Sequence, residues 1–130
     1  MMLDFTQQLL DFANAVEIDM PVLVGALDVT DSVSLYALPG GANKREFFDG
    51  TKDKLLNYEF SIKTTDQRRA IETLDKLADA LHDAQITSEN ESFDFREITI
   101  TSEPFLVGID DDYMYYQLTI TAELTIRSEL

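Results

Sequence analysis

Cysteine is absent from this 130-residue chain, which excludes disulfide scaffolds, thiolate zinc sites and cysteine nucleophiles together. The absence fits a reducing compartment and sets the expectation of a soluble, cytoplasmic-type protein. Basic residues are missing from the first 43 positions, and Asp4 and Asp11 interrupt the apolar residues of the opening MMLDFTQQLLDFANAVEIDM. A secretory signal peptide needs the reverse pattern, so the mature protein is expected to be the chain as given. No apolar run approaches the ~18 residues of a membrane-spanning helix. Positive charge is scarce throughout: 10 Lys and Arg stand against 25 Asp and Glu, a net charge of −15. That balance argues against holding nucleic acid by phosphate neutralisation and against binding an anionic membrane.

What remains is the composition of a globular chain. Hydrophobic residues make up 45% and charged residues 27%, which places the chain among folded proteins rather than disordered ones, and its length fits a single domain over residues 1–130. Charge is unevenly spread. Residues 1–43 carry six acidic side chains, and residues 77–130 carry twelve with only Arg96 and Arg127 to set against them. The other eight basic residues lie between Lys44 and Lys76, among seven acidic ones. One locally basic segment in an acidic chain can pair head to tail with the acidic regions of another copy. The plainer alternative is ordinary solubility charge.

Periodicity predicts two helices and a set of strands. Phe5, Leu9, Phe12, Ala13 and Val16 share one helical face over Asp4–Val16, with Asp4 and Gln7 as a loose capping box and Pro21 soon after the end. Residues Val22–Leu27 and Ser32–Leu38 read as extended, separated by a turn at Asp28–Asp31. Leu38-Pro39-Gly40-Gly41 reads as a breaker opening a loop to Arg45, and Asp49-Gly50 as a turn. Leu56, Tyr58, Phe60 and Ile62 then alternate with polar residues as a strand. Thr64 with Gln67 suggests a second capping box, ahead of a helix whose stripe is Ala70, Ile71, Leu74, Leu77, Ala78 and Leu81. After a polar linker, Phe93–Thr101 reads as a strand resuming at Phe105–Ile109 beyond Pro104, with Asp110–Asp112 as a hairpin tip. The last strand alternates Tyr116, Leu118, Ile120, Ala122, Leu124 and Ile126 with polar neighbours. The expected fold class is α+β: an antiparallel or mixed sheet covered on one face by two helices, with a long C-terminal hairpin.

The residues that could carry chemistry are few. His82, the single histidine, sits at the predicted end of the second helix, where the macrodipole alone explains a cation; a Ser-His-Asp arrangement needs an oriented serine and carboxylate as well. Asp110–Asp112 offer oxygen ligands for calcium or magnesium, but the alternating acids, central Gly and terminal Glu of an EF-hand are missing. Gly40-Gly41 with Lys44 lacks the strand–GxxxxGK(S/T)–helix frame of a phosphate loop. No carboxylate pair stands out for glycoside chemistry. Tyr113, Tyr115 and Tyr116 neighbour three aspartates, so base stacking is a poorer reading than sheet packing or a protein interface.

The order Leu38-Pro39-Gly40-Gly41, Phe48-Asp49-Gly50, Tyr58-Glu59-Phe60-Ser61-Ile62-Lys63 and Asp66-Gln67-Arg68-Arg69-Ala70, leading into Leu74, Leu77 and Leu81, resembles the small minor capsid proteins of long-tailed bacteriophages. Gly108-Ile109-Asp110 and Tyr115-Tyr116-Gln117-Leu118 are similar too. Those proteins are related in architecture to the tail terminators at the junction of tail and head, and the similarity spans Val33 to Ile126. It implies a structural virion protein, a tail terminator or head–tail joining subunit. Such a subunit forms a closed, commonly six-fold ring that stops tail-tube growth and offers a docking face to the head. The implied partners are copies of itself, the tail tube protein and a head-completion or neck protein. The implied location is the neck end of the tail in the virion, after assembly in the host cytoplasm. No catalytic residue, metal or cofactor is implied.

Size permits that role. A domain of this length has a radius of gyration of roughly 14 Å and a diameter near ~36 Å. Equal bodies in a six-fold ring leave an opening of about their own width, enough for duplex DNA. A DNA conduit should repel phosphate, since each neutralised phosphate adds affinity. Acids within 1–31 or 77–112 are therefore expected to face the lumen. Ring contacts join two different patches on each subunit, and the polar, Gly-punctuated segment Gly41–Lys54, with Lys44, Arg45, Lys52 and Lys54, is the expected inter-subunit loop. Two rivals differ in class. An acidic DNA-mimic decoy needs acids spaced along one face like phosphates, one per ~1.7 Å of duplex axis, whereas the alternating strands indicate a conventional core. An acid- or metal-dependent enzyme should be stabilised by divalent metal in a thermal-shift screen.

Overall fold

The computed structural model describes residues 3–18, 20–25 and 31–127. Along them run α1 (Phe5–Ala15), β1 (Val22–Val24), β2 (Ser32–Glu46), β3 (Lys52–Thr64), α2 (Gln67–His82), β4 (Phe93–Asp110) and β5 (Tyr113–Ile126). The strands form one sheet in the order β1-β2-β3-β5-β4. It is mixed, because β1 runs parallel to β2 while every other neighbouring pair is antiparallel. This is the expected α+β fold with its C-terminal hairpin, β4–β5. The first strand, expected over Val22–Leu27, ends at Val24, with Gly25 a bend at a φ of +90°; the rest of that expectation and most of the turn expected at Asp28–Asp31 lie outside the described residues.

Period-2 alternation in β3 and β5 sends one row of each to the helices. Tyr58, Phe60 and Ile62 pair in register with Ile120, Leu118 and Tyr116, and all six are buried. From above, α2 contributes Ala70, Leu74, Leu77, Ala78 and Leu81, and α1 contributes Phe5, Leu9 and Ala13. Phe5 anchors α1: its ring lies 5.6 Å from Tyr58, 5.3 Å edge-on from Phe93 and 6.5 Å from Phe95. Ile71 belongs to the sequence stripe of α2 but is 37% exposed, and Thr73 is buried on that helix instead.

The caps differ from the sequence expectation. Asp66, rather than Thr64, caps α2, accepting from the backbone N–H of Arg68 at 3.0 Å and of Arg69 at 3.4 Å. The Thr64 hydroxyl is committed elsewhere, donating to Asp31 at 3.0 Å and accepting from the Asp66 N–H at 3.2 Å. Asp4 precedes α1 but makes no side-chain cap. Its carboxylate accepts from the Ser88 and Ser92 hydroxyls at 2.7 and 2.9 Å and from the backbone N–H of Glu89 and Asn90 at 2.9 and 3.4 Å. It thereby ties the start of α1 to the segment that leads into β4. Burial alone would raise the Asp4 carboxyl, but these donors outweigh it and hold the group below its ordinary range.

A folded-state value below the unfolded one means the charged form stabilises the fold. The contribution is whole above about pH 4 and is lost as pH falls through the lowered value. Asp4→Asn should therefore cost about 1–2 kcal/mol at pH 7, toward the low end because the site is partly solvated. It should also flatten the acid limb of stability against pH. Urea midpoints of both proteins from pH 7 to 3 check this, and parallel curves would refute it.

Two breakers fail to break. Pro39-Gly40-Gly41 lies inside β2, which runs on to Glu46 through register shifts at Leu38/Ala42 and Asn43/Arg45. Gly40 takes a φ of +93°, and a Cβ on Gly41 would stand 2.8 Å from the Leu55 carbonyl oxygen. Glycine thus bulges the strand instead of ending it. Pro104 is likewise absorbed in an unbroken β4. That strand is at the sheet edge, and Pro104 falls in the register shift between Ser102 and Phe105, where it has no partner on β5.

Candidate assembly surfaces

The strands outreach the helices. At ~1.5 Å per residue α2 covers about 24 Å, whereas β3 at ~3.3 Å per residue extends for roughly 40 Å. Two hairpin ends project as a result. Along β2, residues 32–35 are buried and residues 39–46 are exposed; along β4, exposure prevails from Thr101 onward. In register, Lys52 lies opposite Ile126 and Thr64 opposite Met114, so the β2–β3 turn and the β4–β5 turn are at opposite ends of the sheet.

The β2–β3 end gathers the four bases singled out in the sequence, on paired strands rather than in a loop. The turn itself is short and well bonded. The Phe47 N–H donates to the Thr51 carbonyl at 2.8 Å, the Gly50 N–H to the Phe47 carbonyl at 3.0 Å, and the Asp49 carboxylate accepts from the Thr51 N–H and hydroxyl at 3.1 and 2.7 Å. Those donors from Thr51 hold the Asp49 carboxyl below its usual range. Gly50 supplies the φ of +88° that the turn requires. Lys44 donates to Glu123 of β5 at 3.0 Å, on the sheet face away from the helices. Arg45 lies 6.0 Å from the Phe47 ring centroid. Lys52 and Lys54 share the strand parity of Tyr58 and Phe60 and so take the opposite face. The bases thus surround the tip on both sides instead of lining one. Sequence reading missed what they surround: Phe48 is wholly exposed and Phe47 is 40% exposed. The signal was available, since an aromatic beside Asp-Gly at a turn has no sheet to pack on.

At the other end, Asp110 closes β4 and Asp111, with a φ of +50°, begins the turn. The three aspartates are exposed. Among the described residues no three His, Asp or Glu side chains gather as a metal-binding group. Phe105, Leu106, Val107 and Ile109 are exposed just before them, and Lys63 lies 4.4 Å from the Tyr113 ring centroid. A contiguous apolar run in an edge strand must turn some of its side chains outward, which alternation-based reading passes over. The tyrosines pack with the sheet: Tyr116 is buried, and Tyr113 and Tyr115 are half-buried.

Among the described residues, the groups considered for catalysis are not brought together. His82 is exposed in the last turn of α2 and bonds no serine or carboxylate among the described residues. A recess beside α2 is lined by Glu17, Ile18, Arg69, Glu72, Thr73 and Lys76, mixed charges without a converging nucleophile and base. No helix among the described residues is long and apolar enough to cross a membrane.

A mixed sheet thus lies under two helices, and its two hairpin ends present exposed apolar and charged residues. The sequence profile described as Bacteriophage tail terminator protein matches residues 9–126, and the chain belongs to that family. It is a structural protein of the phage tail. No curated protein matches the sequence. Among solved structures, the chain is similar to one from the virion of a native gene transfer agent particle, with a TM-score of 0.60 and 14% identity over 92% of this chain and 90% of that one. At that identity the similarity concerns the fold.

Proposed function

We propose that the chain acts as a single assembly domain in the virion. Copies close into a ring, commonly six-fold in the resembling proteins, that caps the tail tube, receives the head-completion or neck protein, and lets DNA pass without specific binding. Its mechanism is fit between surfaces, with no turnover and no cofactor. The observation that carries this reading is the pairing of family membership over residues 9–126 with two chemically different exposed ends on one sheet. Two unlike patches per subunit are what a heterologous, closing contact requires. The hairpin end bearing Lys44, Arg45, Lys52 and Lys54 is one such patch.

Passage of DNA is supported by charge placement. Every acidic residue from Leu77 to Asp112 is exposed, so acids of this stretch are available to line a lumen and keep phosphate from adhering. A ring structure with a basic lumen would remove that part of the reading. The main test is negative-stain imaging of the purified chain with and without tail tubes. Annular particles, free or at tube ends, with tubes of fixed length, are expected. Tubes that keep growing in the presence of the protein would contradict capping.

A further inference from the structure

Two apolar patches are uncovered on the described surface, at diagonal corners of the sheet. One is the β2–β3 turn, where Phe47 and Phe48 stand between strand ends that carry Lys44, Arg45, Lys52 and Lys54 together with Glu46, Asp49 and Asp53, a net charge of +1 over residues 44–54. The other is the outer half of β4, where Phe105, Leu106, Val107 and Ile109 run into Asp110, Asp111 and Asp112. Val24 and Ile71 are exposed only singly and need no explanation. The two corners are about 40 Å apart along the strands, with β3 and β5 between them. Neither can cover the other within one chain.

We infer that these corners are the two halves of one contact between successive copies: the aromatic, slightly net-positive β2–β3 turn of one chain seats on the apolar, acidic β4 end of the next. The inference rests on the ring reading and supplies its missing second patch. Charge selects the occupant. Phosphate or an anionic lipid surface is repelled by three consecutive aspartates, while a second copy carries the matching bases on the same molecule. The tip is pre-ordered by its turn bonds, so seating Phe48 costs little ordering entropy. Its exposed ring supplies the large apolar area typical of interface anchors.

The edges themselves argue for contact through side chains rather than by a sheet continued from copy to copy. β4 has register shifts at Phe95/Glu97, Ile100/Ser102, Ser102/Phe105 and Leu106/Gly108, and it contains Pro104. The outer half of β2 is bulged as well. Bulges and proline are the devices that stop edge strands from pairing with another chain.

The lack of cysteine makes the test direct. Glu46→Cys and Asp112→Cys each place one thiol at an exposed position beside a patch and leave Phe48 and Ile109 in place, so neither folding nor the apolar contact is at stake. With oxidised glutathione as the oxidant, mixing the two full-length variants should give disulfide-linked dimers at least about 10-fold above either alone, because the bond needs Cα atoms within ~7 Å. A chain carrying both substitutions should give a ladder ending at the ring size. Rings seen by microscopy without this cross-link would overturn the pairing and leave the ring standing. A covalent product that stops at two chains would keep the pairing and overturn the ring, showing a two-fold dimer. Monomers throughout, even on tail tubes, would overturn both.

Discussion

Phe5→Ala should remove about 3–5 kcal/mol of stability, the typical cost of truncating a fully buried phenylalanine. Phe5 is wholly buried, and its ring touches Tyr58 of β3 and Phe93 and Phe95 of β4. The loss therefore combines apolar transfer, the cavity left behind and the aromatic pairings. Against the ~5–15 kcal/mol that holds a typical domain together, the variant keeps between almost none and about four-fifths of its stability. Its thermal midpoint should fall by roughly 10–20 °C. Phe48→Ala is the matched control. It deletes the same side chain from a position wholly open to solvent and should shift stability by no more than ~0.5 kcal/mol. Denaturant melts of both variants decide the matter, and equal losses would show that α1 is not held to the sheet through this ring.

The contrast between those two phenylalanines also marks how far the sequence could be read. Phe5 sits in a 3.6-residue stripe with Leu9 and Ala13, and a stripe of that kind has only one stable fate, burial against another element. The same held for Leu74, Leu77 and Leu81 of α2 and for the even-numbered residues of β5, so layer, helix number and C-terminal hairpin were all legible. Local breakers misled because their effect depends on tertiary position. Pro39-Gly40-Gly41 and Pro104 would end a strand in mid-sheet, but where one side of the strand has no neighbour, as beyond β1 on β2 and along β4, they bulge it. Capping misled for a similar reason. The Asp4 carboxylate finds Ser88, Ser92 and two backbone N–H groups some 85 residues away, and no local pattern encodes a partner at that distance. Of the assembly surface, the bases were legible as charge. The exposed apolar residues beside them were not, since whether Phe48 or Ile109 is covered depends on how far the strands extend past α2.

Replacing Lys44, Arg45, Lys52 and Lys54 by glutamate should abolish self-assembly while sparing the fold. Residues 44–54 carry four basic and three acidic side chains, a charge of +1, and four reversals lower it by eight to −7. An end of that charge brought against Asp110, Asp111 and Asp112 of another copy meets like charge, which costs several kcal/mol at an interface. Self-association should weaken by at least ~100-fold, since each ~1.4 kcal/mol is a factor of ten. The fold should hold because little of it depends on these groups. Lys44 loses its bond to Glu123, but that lysine is half exposed, and such pairs contribute about 0–1 kcal/mol. Salt provides an internal check. Repulsion between exposed charges is screened beyond ~8 Å at physiological ionic strength and beyond ~3 Å at 1 M, so assembly of the reversed chain should recover in part as salt is raised. Sedimentation velocity across a concentration and salt series, beside a thermal melt, measures both halves. An undiminished assembly with the melt intact would show that these bases face solvent in the ring.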